Sequence, residues 1–266
     1  MSGVLHSELN DGVIRLTLDH AARRNALSIS LLRDLGDAFG AAAEAGAMAA
    51  IVSGSRGVFS AGADLSDLSG TAADSAYDRE LERAGDAVRQ FPGPVIAAID
   101  GPCMGAAVDL ALACDIRICS VDSFFEVPAI RLGLLYSPRA LARLHRRVSS
   151  QTLARLFLLG ERLPAGVARD AGIVAQVFDA GELDDAARRL AANITGTPPR
   201  ALALTKELLV ALDSGTTDMA AWQELQLENL DSPDRAAAIS SAMARLGLEA
   251  AGPGSDLPPA GKRGSK

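Results

Sequence analysis

Asp109 is the single charge in a run of small and apolar residues, Ala106-Ala107-Val108-Asp109-Leu110-Ala111-Leu112-Ala113. A carboxylate in such surroundings is costly unless it is paired or functional. The run starts just after Gly105, and a short β-branched, apolar stretch at 95–99 precedes it, broken at Asp100-Gly101-Pro102. A strand that feeds a helix whose first turn is Gly and Ala leaves backbone N–H groups bare. With the positive end of the helix dipole behind them, those donors can hold an anion, or an oxygen that becomes one. Asp109 sits about one turn further on.

The other familiar constellations are absent from the sequence. It has no G-x-S-x-G, no G-x-x-x-x-G-K-[ST] and no H-E-x-x-H, and its three histidines are scattered, which argues against a metal site. Cys103, Cys114 and Cys119 form no C-x-x-C pair and have apolar neighbours, so reduced, buried thiols are expected. The net charge of −7 argues against a nucleic-acid partner. No apolar run is long enough to span a bilayer and the first residues are too polar for a signal peptide, so a cytoplasmic protein is expected.

The elements that must position Asp109 follow from periodicity. Residues 13–18 alternate, with Ile14, Leu16 and Leu18 on one face, which predicts a strand. Ser28 or Ser30 caps a helix carrying Leu31, Leu32, Leu35, Ala38, Phe39 and Ala42. Strands are predicted at 49–53, 95–99, 115–120, 124–127 and 173–178, with a mobile loop at 66–76 and a charged helix at 77–90. From Ser137-Pro138, an N-cap followed by proline, the chain is nearly all helical: 139–148, 150–159, 164–171, 183–192, 198–212, 217–230 and 233–246. The class is α/β. The tail 252–266, rich in Gly, Pro and Lys, is predicted to be disordered. By pattern alone, the apolar residues of the C-terminal helices either form their own core or dock onto a neighbouring subunit.

Four segments in this order resemble the crotonase (enoyl-CoA hydratase/isomerase) superfamily. They are Arg24-Asn25-Ala26-Leu27; Phe59-Ser60-Ala61-Gly62-Ala63-Asp64-Leu65; Asp100-Gly101 with Gly105 through Asp115; and Phe124-Phe125-Glu126-Val127-Pro128 with Leu132-Gly133-Leu134. The resemblance covers about residues 5–250, and the block from Val108 to Arg117 looks nearest the dienoyl-CoA isomerase branch, where an aspartate holds this helix position. It implies a spiral of ββα turns over 1–195 and a helical trimerisation region over 196–251, often assembled as a dimer of trimers. An acyl-CoA thioester is the implied ligand, with no other cofactor. Its carbonyl oxygen would sit between the N–H groups of Ala63 and Ala106, with Asp109 as the acid/base group. The implied acyl-CoA contacts are Arg24, Ala26, Ala61, Gly62, Ala63, Asp64, Leu65, Gly105, Ala106 and Ala129, and Arg23 and Arg24 are candidate phosphate partners.

The chain departs from the family pattern where chemistry matters. Ala129 stands where the hydratases carry their second glutamate, and Ser137 where the dienoyl isomerases carry a further aspartate. One acid/base group, Asp109, remains of those expected. Glu126 could turn inward to replace the other, or be a solvated edge carboxylate; Tyr136 could donate a proton, or be a packed ring. His145 reads as surface and Asp64 as a local cap. Double-bond isomerisation is therefore expected over hydration, with decarboxylation also open because it needs the enolate stabilised more than it needs a base. The alternative is a non-catalytic acyl-CoA binding protein. More remote is a purely structural trimer.

Overall fold

The computed structural model describes residues 3–179, 181–215 and 217–248; the tail 252–266 lies outside the described residues. The chain opens with an antiparallel pair, β1 (Val4–Asn10) and β2 (Val13–Asp19). The alternation in β2 turns Ile14, Leu16 and Leu18 inward as the pattern predicts. β1, exposed along nearly all its length, has no such alternation, so its sequence does not announce a strand. Ser28 caps α1 (Ile29–Glu44) by accepting the Leu31 N–H, and Leu31, Leu32, Leu35, Phe39 and Ala42 are buried from that helix.

Next come β3 (Ala49–Gly54), α2 (Ser75–Gln90) and β4 (Val95–Ile99). The chain continues through β5 (Pro102–Met104), α3 (Ala106–Ala113), β6 (Ile116–Ser120) and β7 (Phe124–Glu126). β5 falls where the sequence suggested only a break. Three residues are too few to show a period, and β5 exists through non-local pairing with β7 and a bridge from Ser60 to Cys103. α4 (Pro138–Arg147) begins at the Ser137 cap, and α5 (Ser150–Leu153) passes into a π-helical turn at Ala154–Leu158 instead of continuing as the single α-helix expected there. β8 (Leu163–Pro164), α6 (Ala165–Asp170) and β9 (Gln176–Phe178) follow, the last shorter than the strand expected at 173–178. Four helices close the described chain: α7 (Leu183–Ala192), α8 (Pro199–Ser214), α9 (Met219–Leu230) and α10 (Pro233–Leu246).

The main sheet has the order β1-β2-β3-β4-β6-β9 and is parallel from β2 onward; β5, β7 and β8 make a second, smaller sheet. Both faces of the main sheet are covered, which is why β3 and β4 read as unbroken apolar runs. Ala50, Val52, Ala97 and Ile99 join the larger core with α1, α2 and α3. Ile51, Ile96, Ala98 and Ile118 form the other core with Leu183, Ala186, Ala187 and Ala191 of α7. The three cysteines are free and buried, and burial pushes the Cys114 thiol up to about 12. The chain divides into two compact units, Met1–Thr217 and Asp218–Lys266. In the second, neither α9 nor α10 buries a side chain. No helix among the described residues is long and apolar enough to cross a membrane.

Candidate active site

The first unit contains a cavity of about 1120 Å³. Its walls come from the loop after β3, from α2, from the start of α3, from the turn after β7 and from α4. Of the residues singled out above, Ala26, Ala61, Ala63, Asp64, Leu65, Gly105, Ala106, Asp109 and Ala129 all line it. Gly62 and Arg24 do not. Gly62 supports the wall from behind, and Arg24 is exposed in a left-handed backbone conformation, its carbonyl accepting the Ala61 N–H. The neighbouring Arg23 lines the cavity instead, pairing with Asp64 and donating to Ser66 Oγ at 2.8 Å.

Backbone geometry brings two amides to one wall. Leu27 N–H donates to Gly62 O at 2.7 Å, and Asp64 N–H donates to Leu27 O at 3.1 Å. Successive peptide groups of an extended segment face opposite sides, so the Ala63 N–H between them points away from Leu27. On that far side lies the entry to α3. A Cβ on Gly62 would come within 2.6 Å of Met104 O and 3.5 Å of Ala106 N, and at φ +93° only glycine is comfortable. Ala106 is the first residue of α3, so its N–H has no intrahelical acceptor. Gly105 before it adopts φ 51°, ψ −120°, again a glycine conformation, with its own N–H on Glu126 O at 2.8 Å. The helix therefore starts with no side-chain cap over its amides.

Asp109 is 4% exposed, and its Oδ1 accepts from Arg143 Nη2 of α4 at 2.7 Å. Burial raises its pKa, while the Arg143 guanidinium pulls it back. Asp64 has the opposite balance. Burial works against its ionisation, but hydrogen bonds from Ser66 and Arg23 outweigh it and lower the pKa. Asp64 also accepts Ser66 N–H at 3.0 Å, the local cap expected of it. Tyr136 lines the cavity as a packed ring, edge-on to Phe157 at 5.0 Å, with its hydroxyl 3.5 Å from Gly105 O. His145 is exposed, within 3.3 Å of Ser150 Oγ.

Glu126 overturns both readings offered for it. It is buried, not a solvated edge group, and it does not turn into the cavity. Arg131 donates to Oε1 at 3.1 Å and Arg162 to Oε2 at 3.0 Å. Both lone-pair faces are occupied, which leaves no free oxygen for proton chemistry. Ser137 caps α4 at the cavity rim, and Ala129 contributes only a methyl group.

Three site residues were missed by sequence reasoning. Arg143 sat in what read as a basic surface helix. It shares the inward stripe of α4 with Ala140 and Leu144, and a buried acid on α3 demands a cation nearby, so the pair was there to be found. Asp78 and Glu82 of α2 also line the cavity, one helical turn apart. Their nearness to the buried residues Tyr77 and Leu81 was the available signal.

The class of protein to which this cavity belongs is given by comparison with known proteins. The chain belongs to the enoyl-CoA hydratase/isomerase family, whose model matches residues 8–244, within the crotonase superfamily. It is 32% identical over 240 residues to the mouse mitochondrial Delta(3,5)-Delta(2,4)-dienoyl-CoA isomerase, covering 82% of this chain and 73% of that one. It is 36% identical over 231 residues to the Mycobacterium leprae protein named "Probable enoyl-CoA hydratase echA6", covering 84% and 87%. Among solved structures it is similar to an enoyl-CoA hydratase/carnithine racemase from Magnetospirillum magneticum, with a TM-score of 0.85 at 28% identity over 93% of this chain and 94% of that one. It is also similar to Pseudomonas aeruginosa DspI, with a TM-score of 0.84 at 29% identity over 91% and 94%.

Proposed function

We propose that the protein moves a carbon–carbon double bond in an acyl-CoA thioester, with Asp109 as the base and the amides of Ala63 and Ala106 as the oxyanion donors. The observation that carries this reading is that one cavity holds all three residues while the position matching the second hydratase carboxylate is Ala129. On a β,γ-unsaturated thioester, Asp109 takes an α proton. The electron pair delocalises onto the thioester oxygen, where two fixed N–H donors meet the growing charge, and reprotonation at the γ carbon with collapse of the dienolate yields the α,β-unsaturated product. Arg143 favours the ionised form of Asp109 and partly offsets its burial. No resident cofactor is required, because coenzyme A arrives as part of the substrate.

The test is turnover of a β,γ-unsaturated hexenoyl-CoA, followed by the rise in conjugated-enoyl absorbance. Asp109→Asn is expected to lower kcat by roughly 10²- to 10⁴-fold, the range for loss of a general base, with the dissociation constant for the thioester nearly unchanged. Wild-type rates in the variant would remove Asp109 from the mechanism.

A second reading, a non-catalytic acyl-CoA binder, is favoured by one observation: the only carboxylate of α3 is already engaged by Arg143. Binding of several acyl-CoAs with no turnover of enoyl, dienoyl or malonyl thioesters would select it. For assembly we propose a homotrimer or a dimer of trimers. Exposed Leu209 and Leu212 on α8 and, within the second unit, exposed Leu227, Leu230 and Ile239 support it; light scattering tests it. The buried free thiols suit a reducing compartment, and the cytoplasm is the proposed one.

A further inference from the structure

We propose that Asp78 of α2 is a second proton-transfer group of this cavity, acting as the acid that protonates the γ carbon after Asp109 has removed the α proton. The proposal rests on the isomerase reading above and converts it from a one-base to a two-group mechanism.

α2 brings three carboxylates to the cavity at four-residue spacing, Asp74 at its N-cap, Asp78 and Glu82. Two of them are engaged. Asp74 accepts from Ser69 N at 2.7 Å, Ser69 Oγ at 2.7 Å and Gly70 N at 2.9 Å, which ties down the loop before the helix. Glu82 pairs with Arg139 at 3.4 Å. Asp78, among the described residues, has neither a hydrogen-bond donor nor a cation on it. It is exposed to the same cavity that holds Ala63, Ala106 and Asp109. Asp109 is nine-tenths buried, and with Oδ1 on Arg143 it has no donor on Oδ2 among the described residues, so the cavity contains a carboxylate with one oxygen left for a substrate proton.

The two acids differ in the charges that face them. Around Asp78, desolvation and the charges of Asp74, Asp109 and Glu82 all favour the protonated form. Around Asp109, burial is opposed by Arg143. Tyr77 and Tyr136 also face this region, with burial holding both phenols neutral. The remaining cations of the cavity wall are Arg23, which is paired with Asp64, and Arg143 itself. Both carboxyls are raised from the ordinary carboxylate value, so the assignment of base to Asp109 and acid to Asp78 rests on geometry: Asp109 has a guanidinium on one oxygen to favour its ionised form, and Asp78 has none. The step balances. The α C–H bond breaks to Asp109, the pair passes into the dienolate, the Asp78 O–H proton forms the γ C–H bond, and Asp78 regains its proton from solvent while Asp109 releases one.

Two readouts separate this proposal from the reading beneath it. Exchange of the α-hydrogens of butyryl-CoA in deuterium oxide needs only Asp109 and the amide donors, whereas migration of the double bond in a β,γ-unsaturated hexenoyl-CoA needs Asp78 as well. In Asp78→Asn, α-exchange is expected to persist within about two-fold, while kcat for migration falls roughly 10²- to 10⁴-fold. The high-pH limb of the kcat profile should disappear with it, and Asp78→Glu should restore part of the rate. With α-deuterated substrate, the wild-type product should carry little of that label at the γ carbon, because Asp78 exchanges with solvent. Persistent α-exchange together with wild-type migration in Asp78→Asn, or efficient carry-over of the label, overturns the role of Asp78 and leaves Asp109 in place. Absence of α-exchange in the wild type overturns the isomerase reading itself.

Discussion

Asp109 and Glu126 are buried to nearly the same depth, 4% and 5% exposed, yet the chain treats them in opposite ways. Glu126 meets two arginines, one on each oxygen, and both arginines reach back to solvent at 60% and 59% side-chain exposure. Asp109 meets one arginine, on one oxygen, and that arginine is itself only 15% exposed. The first is a brace between the turn after β7 and the segment before β8. The second is a carboxylate on a cavity wall with a donor on one oxygen only. Burial alone therefore does not separate the two; the number of oxygens left without a donor does.

The comparison predicts a graded series of outcomes. Asp109→Asn has the largest expected effect, on turnover, as set out above. Ala106→Pro comes next: proline is tolerated at the first helical position but lacks the N–H. Loss of one oxyanion donor should lower kcat about 10²- to 10³-fold, with helix content by circular dichroism unchanged. Arg143→Met leaves Asp109 buried without its cation, which should cost about 3–5 kcal/mol at neutral pH in denaturant unfolding. Burial already raises the Asp109 pKa above its unfolded value, and removing Arg143 raises it further. The native variant then binds that proton more tightly than the unfolded chain does. Its stability deficit should shrink as pH falls, and the acidic limb of kcat should move to higher pH.

Smaller changes sharpen the contrast. Gly62→Ala imposes a Cβ within 2.6 Å of Met104 O at φ +93°, and strain of about 1–3 kcal/mol is expected. Thermal unfolding should detect it, and kcat should drop as the two amides are pushed apart. Glu126→Gln should have the least effect, about 1 kcal/mol or less, because its arginines are largely hydrated already, with kcat within about two-fold of wild type. A large loss of turnover there would erase the distinction between brace and reactive group.

Much of the fold could be read from the sequence because local signals agreed with it. The alternation of Ile14, Leu16 and Leu18, the Ser28 and Ser137 caps and the lone Asp109 in an apolar helix all appear where the pattern predicts. What escaped depends on partners distant in sequence. β5 exists only through Ser60 and β7, and β1 is an edge strand whose exposed residues leave no period. At the site, Glu126 could not be judged without Arg162, 36 positions away, nor Asp109 without Arg143, 34 positions away. Asp78 looked like an ordinary charge on a solvated helix because a cavity is a property of several elements at once.

The contact between Gly62 and the Met104 carbonyl has one more consequence. Between the Ala63 and Ala106 amides, main chain rests on main chain at Gly62 and Met104, with no room for a side chain. Wall residues such as Leu65, Ala129 or Leu132 lie outside that contact, so on the proposed function they could be exchanged to admit a different acyl group without altering it. On the proposed function, substrate range and carbonyl activation would be separately adjustable, and the surrounding wall is the place to retune selectivity by mutation.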